Sequence, residues 1–176
     1  YKRTRQGTAC IDRIMEKVLK DLQVAHAVVD FFPNGSDERQ FCSPGFNMPV
    51  GSLMRTAYGK YPEYHSSADD FSVVSEDSLE QAVQVLIKAV EAIEVNRTYI
   101  NCNPYCEPNL GKRNLYPALG AGRASSTALE SIKWVLNFSD GQHDVVDIAI
   151  RSGLTIFDIT AIVPQLVDAK LLREKE

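Results

Sequence analysis

Apolar residues recur at Ile11, Ile14, Met15, Val18, Leu19 and Leu22, three or four positions apart, the spacing of a helix with one buried side. Thr8 is a suitable capping residue, so the pattern predicts a helix from Thr8 to about Leu22. Between Val24 and Phe32 the texture changes to a short, nearly continuous run rich in Val and Phe. That is the signature of a strand covered on both faces, and Pro33-Asn34-Gly35 ends it with turn chemistry. Met48 to Met54 is a second, weaker strand candidate. The clearest helix spans Ser75 to Asn96, where Leu79, Val83, Leu86, Ile87, Val90 and Ile93 form one stripe opposite Glu80, Gln84, Lys88 and Glu91. Glu76 and Asp77 suit its first turn, although Ser75 is followed three residues later by Ser78 and not by Glu, so its capping box is incomplete.

Periodicity is lost from Tyr99 to Pro117, which reads as an extended arm, and Gly120 to Ser126 reads as a linker. Three short helices are expected after it, at about 127–138, 144–151 and 155–169. Gly153 lies at the turn of a helix-turn-helix pattern, and Leu171-Leu172 opens a short wing strand. The organisation predicted is a first domain over 1–119, a linker over 120–126, and a winged-helix-like α domain over 127–176.

Composition adds limits more than detail. The chain of 176 residues is 44% hydrophobic and 24% charged, which is usual for a globular protein. That length admits one ordinary domain, or a partial domain plus a small one. The net charge of −4 supplies no electrostatic reason to bind nucleic acid or an anionic membrane, and no apolar run approaches the ~20 residues of a membrane span. Residues 125–176 carry five Lys/Arg against eight Asp/Glu, and the expected recognition helix offers Asp158 and Asp168 against Lys170 alone. A duplex reader needs several cations there, so a protein-docking role suits this module better than DNA binding. Cys10, Cys42, Cys102 and Cys106 form no CxxC pair, which fits reduced thiols in a cytoplasmic protein better than a structural zinc site.

The chemistry-bearing residues concentrate in two polar loops. Tyr61-Pro62-Glu63-Tyr64-His65-Ser66-Ser67-Ala68-Asp69-Asp70 presents a histidine in a Pro- and Ser-rich turn, four residues ahead of an acidic pair. A neutral imidazole is a good zinc donor, but a lone histidine is as much at home on a hydrogen-bonded surface, because a zinc site needs three or four donors. Asp69 or Asp70 suits either a role orienting that imidazole or a turn ahead of the following helix. Tyr64 has the phenol to stabilise an oxyanion and equally the ring to pack on a sheet edge. Upstream, Asp37, Glu38 and Arg39 follow the expected 24–32 strand at its C-terminal end, where ligands sit in open α/β sheets. An acid there can hold a substrate amine and Arg39 a carboxylate. A local ion-pair cluster shaping the loop is the other reading.

These motifs carry a resemblance. Gly35-Ser36-Asp37-Glu38-Arg39-Gln40, then Gly51-Ser52-Leu53-Met54-Arg55-Thr56, then Tyr64-His65-Ser66-Ser67-Ala68-Asp69-Asp70 resemble segments of the aminopeptidase-like branch of the di-zinc exopeptidase superfamily associated with polysaccharide biosynthesis. Pro108 to Pro117 and the winged-helix-like tail fit the same branch, so the likeness covers nearly the whole chain. It implies an α/β fold, part of a three-layer zinc-exopeptidase sandwich, with two zinc ions in the complete protein and a peptide or amino-acid-conjugate as substrate. His65 would be the final metal ligand, Tyr64 an oxyanion donor, and the Asp37–Glu38–Arg39 loop the substrate pocket.

The other metal ligands and the general base of that superfamily have no counterpart here. The resemblance therefore implies that the chain is the C-terminal portion of a longer enzyme and that the preceding segment is its partner. A scaffolding relative with a degenerate metal site is the alternative, and pairing with a second copy is open. Two structural expectations follow: Asp37, Glu38 and His65 should share one cleft, and Val28 to Phe32 should be left partly uncovered.

Overall fold

The computed structural model describes residues 1–35, 37–115 and 122–176, with the backbone alone for 122–125. The chain divides into two units, Tyr1–Ile93 and Glu94–Glu176.

The first unit is built around an acidic staple. Helix α1 spans Cys10–Asp21 and starts at Ala9, one residue later than Thr8 would place it, because Asp12 does the capping. The Asp12 carboxylate accepts from the Ala9 amide at 3.0 Å, the Thr4 amide at 2.8 Å, the Thr4 hydroxyl at 2.6 Å and the Tyr1 hydroxyl at 2.9 Å. Every lone pair of a nearly fully buried carboxylate is used, which makes its burial affordable. Burial and this bond to Asp12 together raise the Tyr1 phenol well above its ordinary pKa. Ile14, Met15, Val18 and Leu19 form the buried face of α1, as the periodicity predicts.

The 24–32 segment is extended but does not become a full strand. It meets the N-terminal segment at a single parallel bridge, Lys2 with Val29, while Lys2 also forms an antiparallel bridge with Ser52. Three extended pieces thus lie side by side with Lys2 in the middle, and the expected 48–54 strand is likewise reduced to its one bridge. Val29 is 42% exposed and Phe32 38%, so this run is not covered on both faces among the described residues.

Helix α2 is a single short turn-and-a-half, Asp37–Phe41. Helix α3, Glu76–Val95, matches its expected bounds and reverses its expected facing. Val85, Ala89 and Ala92 are buried, whereas Leu79, Val83, Leu86, Ile87, Val90 and Ile93 are all exposed. The small-residue side packs and the large apolar stripe stands open. Periodicity marks an apolar side but does not say which neighbour covers it.

The second unit begins earlier than composition suggests. Strand β1, Thr98–Asn101, lies in the stretch read as an arm and is the central strand of an antiparallel sheet ordered β2-β1-β3. Strand β2 is Asp140–Asp144 and β3 is Leu172–Glu174. Tyr99, Ile100 and Asn101 lie opposite Glu174, Arg173 and Leu172, and a bulge interrupts the register with β2 between Thr98 and Ile100. Residues from Glu94 on therefore belong with the tail, and the boundary falls well before 119. Gly120 and Ala121 of the expected linker lie outside the described residues, and Gly122 already begins helix α4, Gly122–Phe138.

Helices α5 (Val145–Ser152), α6 (Ile156–Thr160) and α7 (Val163–Asp168) complete the unit. Asp144 caps α5 by accepting from the Asp147 amide at 2.8 Å, and Thr155 caps α6 through the Asp158 amide at 3.0 Å. Gly153 closes α5 at φ +76°, the left-handed conformation glycine tolerates. The single helix expected over 155–169 is divided because Pro164 has no amide to offer the Thr160 carbonyl. The core contains Ile132, Val135, Val146, Ile148, Ile156, Ile159 and Leu166. This is a helix-turn-helix with a small wing, and the chain as a whole is mixed α/β. Among the described residues no helix is long and apolar enough to cross a membrane.

Candidate functional site

A buried lysine organises the polar end of the first unit. The Lys2 side chain is wholly inaccessible, and its ammonium donates to the Glu38 carboxylate at 2.8 Å, the Asn34 carbonyl at 2.7 Å and the Tyr58 hydroxyl at 2.7 Å. The Tyr58 hydroxyl in turn donates to the Asn34 carbonyl at 2.7 Å. The Phe32 ring centroid lies 4.3 Å from the ammonium and adds a cation–π contact. Burial works against the charge on Lys2, but the Glu38 carboxylate and Tyr58 hydroxyl outweigh it and hold the pKa above the ordinary lysine value. Burial likewise opposes ionisation of Glu38, and its bonds to Lys2 and the backbone outweigh that and hold its pKa below the ordinary carboxylate value. Gly35, at φ +112°, lets the loop pass close over this pair; a side chain there would overlap the Glu38 carboxylate.

Above this hub is a cleft of about 540 Å³, lined by Glu38, Ser52, Tyr58, Tyr64 and His65 among others. Two turns shape its far wall, with the Tyr64 amide bonded to the Tyr61 carbonyl and the Ser66 amide to the Glu63 carbonyl. His65 is exposed at φ +59°, a backbone conformation that is uncommon outside glycine. Its ring stacks on Tyr64 with centroids 4.0 Å apart and planes 13° from parallel, and Tyr61 meets Tyr64 edge-on. Among the described residues neither nitrogen of the His65 ring has a hydrogen-bond partner.

The structure thus brings Glu38, Tyr64 and His65 to one cleft. Asp37 and Arg39 are exposed on α2 and are not part of its lining. Glu38, expected to hold a substrate amine, is already committed to Lys2 and almost fully buried, so it forms the floor of the cleft. Asp70 caps the following turn through the Ser72 amide at 2.8 Å, and the Ser72 hydroxyl and then this amide lower its pKa. Asp69 accepts from the Tyr61 hydroxyl at 3.3 Å. Both acids therefore serve the turn, and the structure shows no bond from either to His65. Lys2 and Tyr58 escaped the sequence reading, and Ser52 entered it only within a motif, since nothing in Tyr1-Lys2-Arg3 distinguishes a buried lysine from its solvated neighbours.

Among the described residues no group of three or more His, Cys, Asp or Glu is placed to hold a metal ion. A lone imidazole such as that of His65 offers at most one donor, and a catalytic zinc requires three from the protein.

The two units define the class first: an α/β segment with a polar cleft, followed by a winged helix-turn-helix. Residues 1–96 match the family described as a domain of unknown function (DUF4910), and residues 97–174 match a winged helix-turn-helix family. The chain belongs to the DUF4910 family. It is 46% identical over 173 residues to a Clostridium acetobutylicum protein named "Putative polysaccharide biosynthesis protein with aminopeptidase-like domain". It is also similar to a solved structure described as a putative peptidase from Clostridium acetobutylicum, with TM-score 0.86 and 43% identity over 99% of this chain. The chain spans 40% of the curated relative's length and 38% of the solved chain. It aligns with the C-terminal part of that curated relative.

Proposed function

We propose that this chain is the C-terminal part of a zinc-dependent aminopeptidase, and that the His65 cleft receives the terminus of a peptide or amino-acid conjugate. The observation that carries the reading is His65 itself: an imidazole with both nitrogens unengaged among the described residues, on a left-handed backbone, stacked on Tyr64 at the rim of a preformed cleft. Backbone strain of this kind collects at functional sites. The names of the two relatives, aminopeptidase-like and peptidase, support the same class.

The described residues do not make a zinc site alone, so His65 contributes one donor and the rest of the longer protein the others. Bound zinc would supply an acidified water and a polarised carbonyl. Tyr64 fixes the plane of the imidazole, and its phenol is near enough to the same cleft to meet a developing oxyanion. Lys2, Glu38 and Tyr58 form a charge-neutral, rigid floor, so the cleft selects its ligand by shape and by neutral donors.

The test uses the full-length protein, wild type and His65→Ala, scored for zinc content by mass spectrometry and for hydrolysis of aminoacyl anilides. Loss of both bound zinc and most of the activity in the variant is expected. Full zinc content and unchanged hydrolysis in His65→Ala would sink the assignment. A wild-type protein that holds no zinc and hydrolyses none of these substrates would favour a scaffolding role instead.

A further inference from the structure

The first unit has a second concavity, an apolar groove of about 630 Å³ with Tyr1 at one end. Val24 to Ala27 form one wall and Leu53, Met54, Arg55 and Ala57 the other, and Ala82, Val85 and Leu86 of α3 also line it.

The hydrogen bonds flanking Tyr1–Arg3 fix a register. On one side the Tyr1 nitrogen donates to the Ala27 carbonyl at 2.7 Å, the Val29 amide to the Tyr1 carbonyl at 2.9 Å, and the Arg3 amide to the Val29 carbonyl at 2.9 Å. That is a parallel ladder in which Ala25, Ala27 and Val29 face the N-terminal segment. On the other side Lys2 and Ser52 exchange both bonds, at 2.8 and 2.9 Å, as a closely spaced antiparallel pair. Both ladders repeat every two residues. Continued upstream, they place the residue directly before Tyr1 opposite Met54. The residue before that one would accept from the Ala27 amide and donate to the Ala25 carbonyl.

Those are the groups left over. Among the described residues the amide and carbonyl of Ala25, the amide and carbonyl of Met54 and the amide of Ala27 make no hydrogen bond. Ala25 and Ala27 are exposed and Met54 is half-buried, so these groups stand open as an unpaired strand edge, a ready template for a further strand. We propose that the groove seats a β-strand of the same polypeptide that runs directly into Tyr1, parallel to Val24–Val29 and antiparallel to Ser52–Thr56.

Two observations select this occupant. The curated relative is longer, this chain accounting for 40% of it, and the proposal rests on the reading above that this chain too is part of a longer protein. The strand would be continuous with Tyr1, which already lies between both walls, whereas a second copy brings no free strand to that point. The lining asks for apolar side chains on the strand.

Hydrogen exchange on the full-length protein and on the 1–176 chain tests this. The amides of Ala27 and Met54 should exchange at least about 100-fold more slowly in the full-length protein, with Leu166 in the second unit equally protected in both. Equally fast exchange in the two would overturn the proposal. So would protection in the 1–176 chain that grows with protein concentration, since a second copy would then fill the groove. An independent arm pairs Met54→Cys with a cysteine directly before Tyr1 in the full-length protein. Opposed residues of a closely spaced antiparallel pair lie about 5.5 Å apart, within disulfide reach, so mild oxidation should link them and absence of the link would count against the register.

Discussion

The Lys2 ammonium and the Glu38 carboxylate stand 2.8 Å apart with 0% and 5% of their side chains exposed, beneath the cleft that His65 borders. Such a pair contributes little net stability over a well-packed apolar pair, but breaking one half leaves a charge buried with no counter-ion.

Lys2→Met and Glu38→Leu, each alone in the full-length protein, should therefore lower stability by about 3–5 kcal/mol, and the two combined by much less. Urea unfolding of the two single variants and the double variant checks this. Additive losses across the cycle would mean the two groups act independently.

The pH dependence has a definite sign. Glu38 is held below its unfolded value of about 4.3, so its contribution is present above that pH and is lost as pH falls through the folded value. Lys2 is held above about 10.4, so its contribution is present below that pH and is lost as pH rises through its folded value. Stability from the pair should be level between about pH 5 and 10 and fall on both sides. Glu38→Gln should flatten the acid limb, measured as the urea midpoint against pH.

Gly35→Ala should destabilise the first unit by about 1–3 kcal/mol, because the residue sits at φ +112° and a methyl group would displace the Glu38 carboxylate. Gly59→Ala, also at positive φ but with open space around it, should cost less. Thermal unfolding of both variants gives the comparison.

The exposed stripe on α3 predicts that Val83→Lys with Val90→Lys will leave the helicity of the 1–176 chain unchanged while reducing its binding of an apolar dye. Circular dichroism and dye fluorescence report the two quantities. A collapse of helicity would show that the stripe is packed in solution.

The second unit should not shift duplex DNA at sub-micromolar concentration and physiological salt, given three more acidic than basic groups over 125–176. A salt-sensitive mobility shift would contradict this.

Local signals carried the helices well. The spacing in α1 and α3 and the Gly153 turn were legible because they depend on near neighbours. Strands were not. Thr98–Asn101 is short and sits among prolines, and β2 reads Asp-Gly-Gln-His-Asp, with no apolar alternation, because sheet position is set by partners distant in the chain. At the cleft, His65 and Glu38 were singled out through their motifs, and the structure lines one cleft with both. The burial of Lys2 was not, since it depends on Asn34, Glu38 and Tyr58 arriving from 32 to 56 residues away.

The capping pairs of the second unit have a cost that appears only against another task. Asp147 and Asp158 return bonds to the Asp144 and Thr155 amides, so each capping box places a carboxylate in the first turn of α5 and of α6. Those first turns are where a helix offers free amides and positive potential to a phosphate oxygen. Here the protein's own oxygens have taken the position. Engaging a phosphate at either turn would mean surrendering a cap worth about 1 kcal/mol.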